Sequence, residues 1–142
     1  MDLSWSFDLS RINWSDLSEL IRIAPLSDQP PEQIKTIFSN SQFFCFVFHE
    51  TQIVGAGRIL SDGLAFAYLS HIAVHPDYQG MGLGKKIVRN LIEQSKGHSM
   101  IILYSNPGLE GFYYNLGFKK MKTAMAIFEN EEAAIEKGVL SK

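Results

Sequence analysis

The chain has 142 residues, 46% of them hydrophobic, and its 13 Lys plus Arg against 15 Asp plus Glu give a formal net charge of −2. That length and apolar content suit a single domain over residues 1–142, and the near-neutral balance supplies no basic field for nucleic acid. No apolar stretch reaches the ~18 residues of a membrane span, and the start Met1-Asp2-Leu3-Ser4-Trp5 has neither the basic nor the apolar region of a secretion signal. A soluble, cytoplasmic protein with no membrane or nucleic-acid partner is therefore expected. The lone cysteine, Cys45, rules out an internal disulfide and a cysteine zinc cage, so no metal is expected.

In chain order, Trp5 to Leu9 reads as an opening strand. Leu17, Leu20, Ile21 and Ala24 recur at helical spacing after Asn13 and stop before Pro25, which predicts a first helix. A second begins at Pro30-Pro31, with Ile34, Ile37 and Phe38 on one face, since proline suits the first helical turn. Phe43 to Phe48 and Ile53 to Leu60 are apolar runs separated by Glu50-Thr51-Gln52, a hairpin pattern. Ser61-Asp62-Gly63 makes a turn into a long strand, Leu64 to Val74, stopped by Pro76. A glycine-rich loop follows, then an amphipathic helix from Lys85 carrying Ile87, Val88, Leu91 and Ile92. Met100 to Tyr104 is short and continuously apolar, as in a strand buried on both faces. Gly108 to Leu116 reads as a compact helix closed by Gly117, and Phe118 to Lys120 and Thr123 to Phe128 as closing strands. Glu129 onward is a polar tail or short helix.

The loop Gln79-Gly80-Met81-Gly82-Leu83-Gly84 is the most informative segment. It lies between a strand and a helix, where the first helical amides lack partners and the helix dipole favours an anion. Alternating glycines Gly80, Gly82 and Gly84 suit an anion nest. The Walker spacing fails, because Gln79 stands where glycine is needed and Lys86 follows Gly84-Lys85. The dinucleotide fingerprint fails as well, since Gly80 and Gly82 lead to Lys85, and Gly82 and Gly84 to Ile87.

Gln-x-x-Gly-x-Gly at Gln79, Gly82 and Gly84 resembles the pyrophosphate loop of the GNAT superfamily of acetyl-coenzyme A-dependent N-acetyltransferases. A second segment agrees. Phe112-Tyr113-Tyr114-Asn115-Leu116-Gly117-Phe118 is similar to the family's Phe-Tyr-x-x-x-Gly-Phe, and Asn106 stands seven residues before Tyr113, where many members carry Asn. The resemblance covers roughly residues 53 to 128. It implies an α+β fold with a mixed, mostly antiparallel central sheet flanked by helices in an α/β/α layering. It also implies acetyl-coenzyme A as co-substrate, an amine acceptor and direct transfer without a covalent enzyme intermediate.

Carried onto this chain, the resemblance lays the pantetheine arm along Ile72, Ala73 and Val74, with an amide at Ala73 or Val74 facing the oxyanion. The cofactor phosphates fall to Gln79, Gly80, Met81, Gly82, Leu83, Gly84 and Lys85, with Asn106 as a further cofactor-binding residue. Tyr113 is the expected general acid, because a phenol with an ordinary pKa near ~10 holds its proton at neutral pH and can give it to a thiolate. Tyr114 competes for that role, and the spacing to Gly117-Phe118 selects Tyr113. His71 is the candidate base, with an intrinsic pKa of roughly 6.5, set against a purely structural hydrogen bond. His75 sits at the loop entrance; His49 and His98 fall at element ends, where exposure is expected. Cys45 alternates with Phe43 and Val47 on an apolar strand and reads as a small buried hydrophobe.

The acceptor is expected to be a small-molecule amine, with a protein N-terminus or lysine as the alternative and a non-catalytic acyl-coenzyme A-binding module as a third reading. Asp28, Glu32 and Asp62 are charges that would attract a cation, but none is singled out as a substrate residue. Exposed edge strands make a homodimer compatible with the sequence.

Overall fold

The computed structural model describes residues 2–142. It comprises two compact units, one running to Leu103 and one spanning Tyr104–Lys142. In the first, strands β1 (Leu3–Ser6), β2 (Phe43–His49), β3 (Gln52–Ser61), β4 (Phe66–Val74) and β5 (Met100–Ile102) form one sheet in the order β1-β2-β3-β4-β5. All neighbours are antiparallel except β4 and β5, which run parallel. Helices α1 (Trp14–Ile23), α2 (Pro31–Ser39) and α3 (Leu83–Gln94) complete the unit.

Alternation along β3 decides which helix covers which face. Ala56 joins a core with Leu17, Leu20 and Ile21 of α1, Ile34 and Phe38 of α2, and Phe46, Phe48 and Ala73 of the sheet. Its neighbours Gly55 and Gly57 point the other way, toward α3. A Cβ built on Gly57 would lie 2.8 Å from Cδ1 of both Ile72 and Leu91, and one on Gly55 would lie 2.9 Å from Ile87 Cδ1. The two glycines thus let α3 seat directly on the strand. The sheet is flanked by helices on both faces, as the resemblance implied.

Local chemistry places the boundaries. Asn13 caps α1 by accepting from the Asp16 amide at 3.1 Å. Pro31 opens α2. The opening strand lies earlier than the sequence predicts, because the Asp8 carboxylate draws in the Ser10 amide and hydroxyl and turns the chain. β4 begins at Phe66 and not at Leu64, since the Asp62 carboxylate accepts from the amides of Leu64, Ala65 and Phe66 and holds them in the turn. β5 is a three-residue edge strand with Met100 exposed, which corrects the expectation of a strand buried on both faces.

In the second unit, α4 (Glu110–Tyr114) and α5 (Glu131–Glu136) are the regular elements among the described residues. The predicted closing strands at 118–120 and 123–128 are not formed. A strand exists only as part of a ladder, and Lys119, Lys120 and Lys122 interrupt the apolar residues there, leaving Met125 96% exposed and Met121 and Ile127 exposed as well.

Candidate active site

The site begins at an irregularity in β4. Ala56 faces Ala73 and Arg58 faces Ser70, so the single residue Gly57 on β3 opposes both His71 and Ile72 on β4. This is a β-bulge, which bends the strand and increases its twist. His71 carries it in a left-handed conformation, φ 54°, uncommon for a residue with a side chain. On the opposite edge, β4 pairs with β5 only over Phe66, Ala67 and Tyr68. From Leu69 to Val74 that edge has no strand partner in the unit, so β4 and β5 splay.

The splayed end of β4 runs into the glycine loop. A short 3₁₀ turn over Pro76–Tyr78 follows His75, whose Nδ1 accepts from the Asp77 amide at 3.1 Å. Tyr78 is buried, and its hydroxyl shares a 2.6 Å hydrogen bond with His49 Nδ1. Gln79 Nε2 donates to the Val74 carbonyl at 2.9 Å and lies 3.4 Å from that of Ala24, tying the loop to the end of β4 and the end of α1. Gly80 and Gly82 then adopt φ values of 83° and 82°, and a Cβ on either would meet nothing within 4 Å. Packing does not require glycine at these positions; the backbone conformation does.

Gly82 is the N-cap of α3 and no side chain caps it; the first turn holds no acidic residue. The first helical bond runs from the Lys86 amide to the Gly82 carbonyl at 3.2 Å, so the amides of Leu83, Gly84 and Lys85 precede the intrahelical pattern. Buried Leu83 anchors this start two residues ahead of the predicted Lys85. Gly84 is therefore the second residue of a helix and has no positive φ. The expected nest of three alternating glycines is two left-handed glycines followed by a helix N-terminus. Open space, unpaired amides and the dipole fit a diphosphate.

Around the bulge, Arg58 Nε donates to His71 Nδ1 at 2.9 Å and Arg58 Nη1 to Ser41 Oγ at 3.1 Å. His71 Nε2 lies 3.4 Å from Gln29 Oε1, and its ring meets that of Phe38 edge-on at 5.8 Å. Burial first, and the charge of Arg58 second, bring the imidazole down to about 4. His71 is thus neutral at physiological pH, with the Nδ1 lone pair engaged by Arg58.

In the second unit, the end of α4 explains the Phe-Tyr-x-x-x-Gly-Phe spacing. The Phe118 amide donates to the Tyr113 carbonyl and the Gly117 amide to that of Tyr114, both at 3.1 Å, with Gly117 at φ 96°. This is a Schellman closure, and the accompanying apolar contact is between the rings of Tyr113 and Phe118. Tyr113 also meets Phe112 edge-on at 5.0 Å. Burial holds its phenol above the ordinary tyrosine value. Tyr114 is exposed. The Asn106 carbonyl accepts from the Leu109 amide at 3.1 Å in the turn ahead of α4, and its side chain is exposed.

A family profile described as "Acetyltransferase (GNAT) family" matches residues 8–118. The chain belongs to that family. The uncharacterized N-acetyltransferase ycf52 of Pyropia yezoensis is 31% identical over 115 residues, covering 77% of this chain and 66% of the relative. The chain thus spans just under two thirds of that protein's length. The chloroplastic GCN5-related N-acetyltransferase 1 of Arabidopsis thaliana is 43% identical over 67 residues, 46% of this chain and 34% of the relative. Among solved structures, an acetyltransferase of the GNAT family from Streptococcus pneumoniae superposes with a TM-score of 0.79 at 19% identity, covering 92% of this chain and 99% of the other, a likeness of fold.

Within this GNAT protein, two histidine expectations are corrected. His49 is held by Tyr78, and His98 Nε2 lies 2.8 Å from Ser61 Oγ, so neither is a free surface group. Cys45 is fully buried, and desolvation pushes its thiol up to about 12, as befits a small hydrophobe. Arg58 was not foreseen as a site residue. Its signal in the sequence was a single cation within the apolar run Ile53 to Leu60. No helix is long and apolar enough to cross a membrane among the described residues.

Proposed function

We propose that this GNAT protein moves the acetyl group of acetyl-coenzyme A to the primary amine of a small molecule by direct attack in a ternary complex. The observation that carries the reading is the junction of a bare β4 edge with two left-handed glycines and the uncapped N-terminus of α3. The edge from Leu69 to Val74 offers backbone groups to an extended pantetheine arm, and the amides from Gly80 to Lys85 offer donors to the diphosphate. When bound, acetyl-coenzyme A supplies the activated acyl group as a thioester.

The chain's own residues then hold, orient and protonate. The His75 amide points toward β3, donating to the Val54 carbonyl at 2.8 Å. Successive residues of an extended chain alternate edges, so the Val74 amide faces the splay, which favours Val74 over Ala73 as the oxyanion donor. Gln79, by binding the Val74 carbonyl, fixes the peptide that follows. Met81 and Lys85 complete the loop, Lys85 as a charge in the first turn of α3, and Asn106 is proposed as a further cofactor contact. Tyr113 is the proposed general acid for the thiolate, its proton secured by burial. His71 fits the base role poorly, because its Nδ1 already accepts from Arg58 and it is hard to protonate. Solvent is the proposed acceptor of the amine's proton.

The family match runs continuously across residues 8–118, which supports reading the chain as one catalytic domain. The buried thiol of Cys45 is in keeping with the cytoplasm or another reducing compartment. The deciding measurement is calorimetric titration with acetyl-coenzyme A, followed by thiol release in the presence of primary amines. Saturable heat that disappears in a folded Gly82→Glu variant is expected; absence of both heat and thermal shift in the wild type overturns the reading.

A further inference from the structure

Arg58 is the one charged residue of β3, and only 9% of its surface is exposed. Its two side-chain acceptors, His71 Nδ1 and Ser41 Oγ, are both neutral. No carboxylate among the described residues makes a salt bridge with Arg58, and the acidic group that faces it is the phenol of Tyr68. A guanidinium stays charged in proteins, and removing it from water without a counter-ion costs several kcal/mol. Neutral side chains would join Ser41 and His71 without that penalty. The arrangement therefore stores a net positive charge on the α1/α2 face of the sheet, one hydrogen bond from His71, which precedes Ile72 on β4. The two bonds use two of its five N–H groups in a planar fork that matches carboxylate and phosphate oxygens.

We propose that Arg58 is the anchor for an anionic group, a carboxylate or a phosphate monoester, carried by the acceptor amine, so that the substrate class is anionic amines. This rests on the acetyl-transfer reading and narrows it. His71 and Ser41 hold the guanidinium from one side. Gln29, from the loop joining α1 to α2, holds the imidazole.

Matched acceptors test it: β-alanine against β-alaninamide, and O-phosphoethanolamine against ethanolamine, followed by thiol release. The anionic member of at least one pair is expected to show a kcat/KM higher by about tenfold or more, as loss of charge-assisted hydrogen bonds predicts. Arg58→Gln should erase that preference, read as the ratio of kcat/KM for the anionic and the neutral acceptor in a folded variant that still binds acetyl-coenzyme A. Equal rates within both pairs for the wild type overturn the proposal even if the variant does not fold. Equal losses on charged and neutral acceptors in a folded variant do the same, because they mark a structural role. An independent readout separates it from catalysis. N-acetyl-β-alanine and O-phospho-N-acetylethanolamine should include one that raises the wild-type Tm more than its uncharged counterpart, even if transfer is not detected. No such difference overturns the anion site and leaves acetyl transfer to be judged by its own assay.

Discussion

The ring of Phe118 meets the ring of Tyr113 nearly at right angles, 84° with centroids 5.8 Å apart, while the Phe118 amide binds the Tyr113 carbonyl. One residue thus fixes both backbone and ring of the proposed acid. Phe118→Ala should lower kcat by about tenfold or more with little change in acetyl-coenzyme A affinity, since a small misplacement of a proton donor is costly. Phe118→Leu, which keeps apolar contact, should recover part of the rate. Steady-state kinetics beside calorimetry would show the split, and an affinity loss without a kcat loss would contradict it.

Burial raises the Tyr113 phenol above its ordinary value, so the protonated acid persists to higher pH than a free tyrosine. The alkaline limb of kcat assigned to this group should therefore lie above the usual tyrosine range. Tyr113→Phe should remove that limb and reduce kcat by about 10²-fold, the lower range for general acids, with cofactor affinity retained. A pH–rate profile of the two proteins decides.

Gly82→Ala isolates the conformational term at the loop. At φ 82° an alanine is strained by about 1 kcal/mol, yet its methyl would meet no protein atom. Denaturant midpoints should fall by that small amount, whereas acetyl-coenzyme A affinity should fall further because the methyl stands where a phosphate approaches. Gly82→Asn should be milder in stability. Equal affinity in Gly82→Ala and wild type would show that the ligand does not approach from the Cα side.

Burial and the charge of Arg58 bring the His71 imidazole down to about 4 in the fold, against roughly 6.5 when unfolded. Between those values the unfolded chain binds a proton that the native chain refuses, so this contribution is complete above pH 6.5 and is lost as the pH falls toward 4. At 1.36 kcal/mol per unit it amounts to about 3 kcal/mol at most. His71→Gln should flatten the stability curve over that window by a comparable amount, measured as the difference between chemical denaturation series at several pH values.

Local signals read best in the sequence. Asn13 and Pro31 start helices through their own side chains, and Gly80 and Gly82 mark the left-handed turns of the loop, whereas Gly84 falls inside α3. Tyr113, Gly117 and Phe118 are legible for the same reason, because a helix closure has fixed spacing. What the sequence could not show depends on partners distant along the chain. The predicted strand at 123–128 had suitable residues and found no ladder, and His49 and His98 were held by Tyr78 and Ser61 across the fold. Arg58 meets His71 only because a bulge lets two residues of β4 face one of β3, a register shift that no periodicity reveals.

That single opposed residue, Gly57, has one more effect. The methyl group it lacks leaves just enough depth for Ile72 from the bulge and Leu91 from α3 to occupy the same spot. The height of the helix above the sheet, and with it the position of its anion-holding tip, is set from underneath by an absence. Evolution or design could retune the grip on the phosphates by adding a carbon there, with every residue of the glycine loop left untouched.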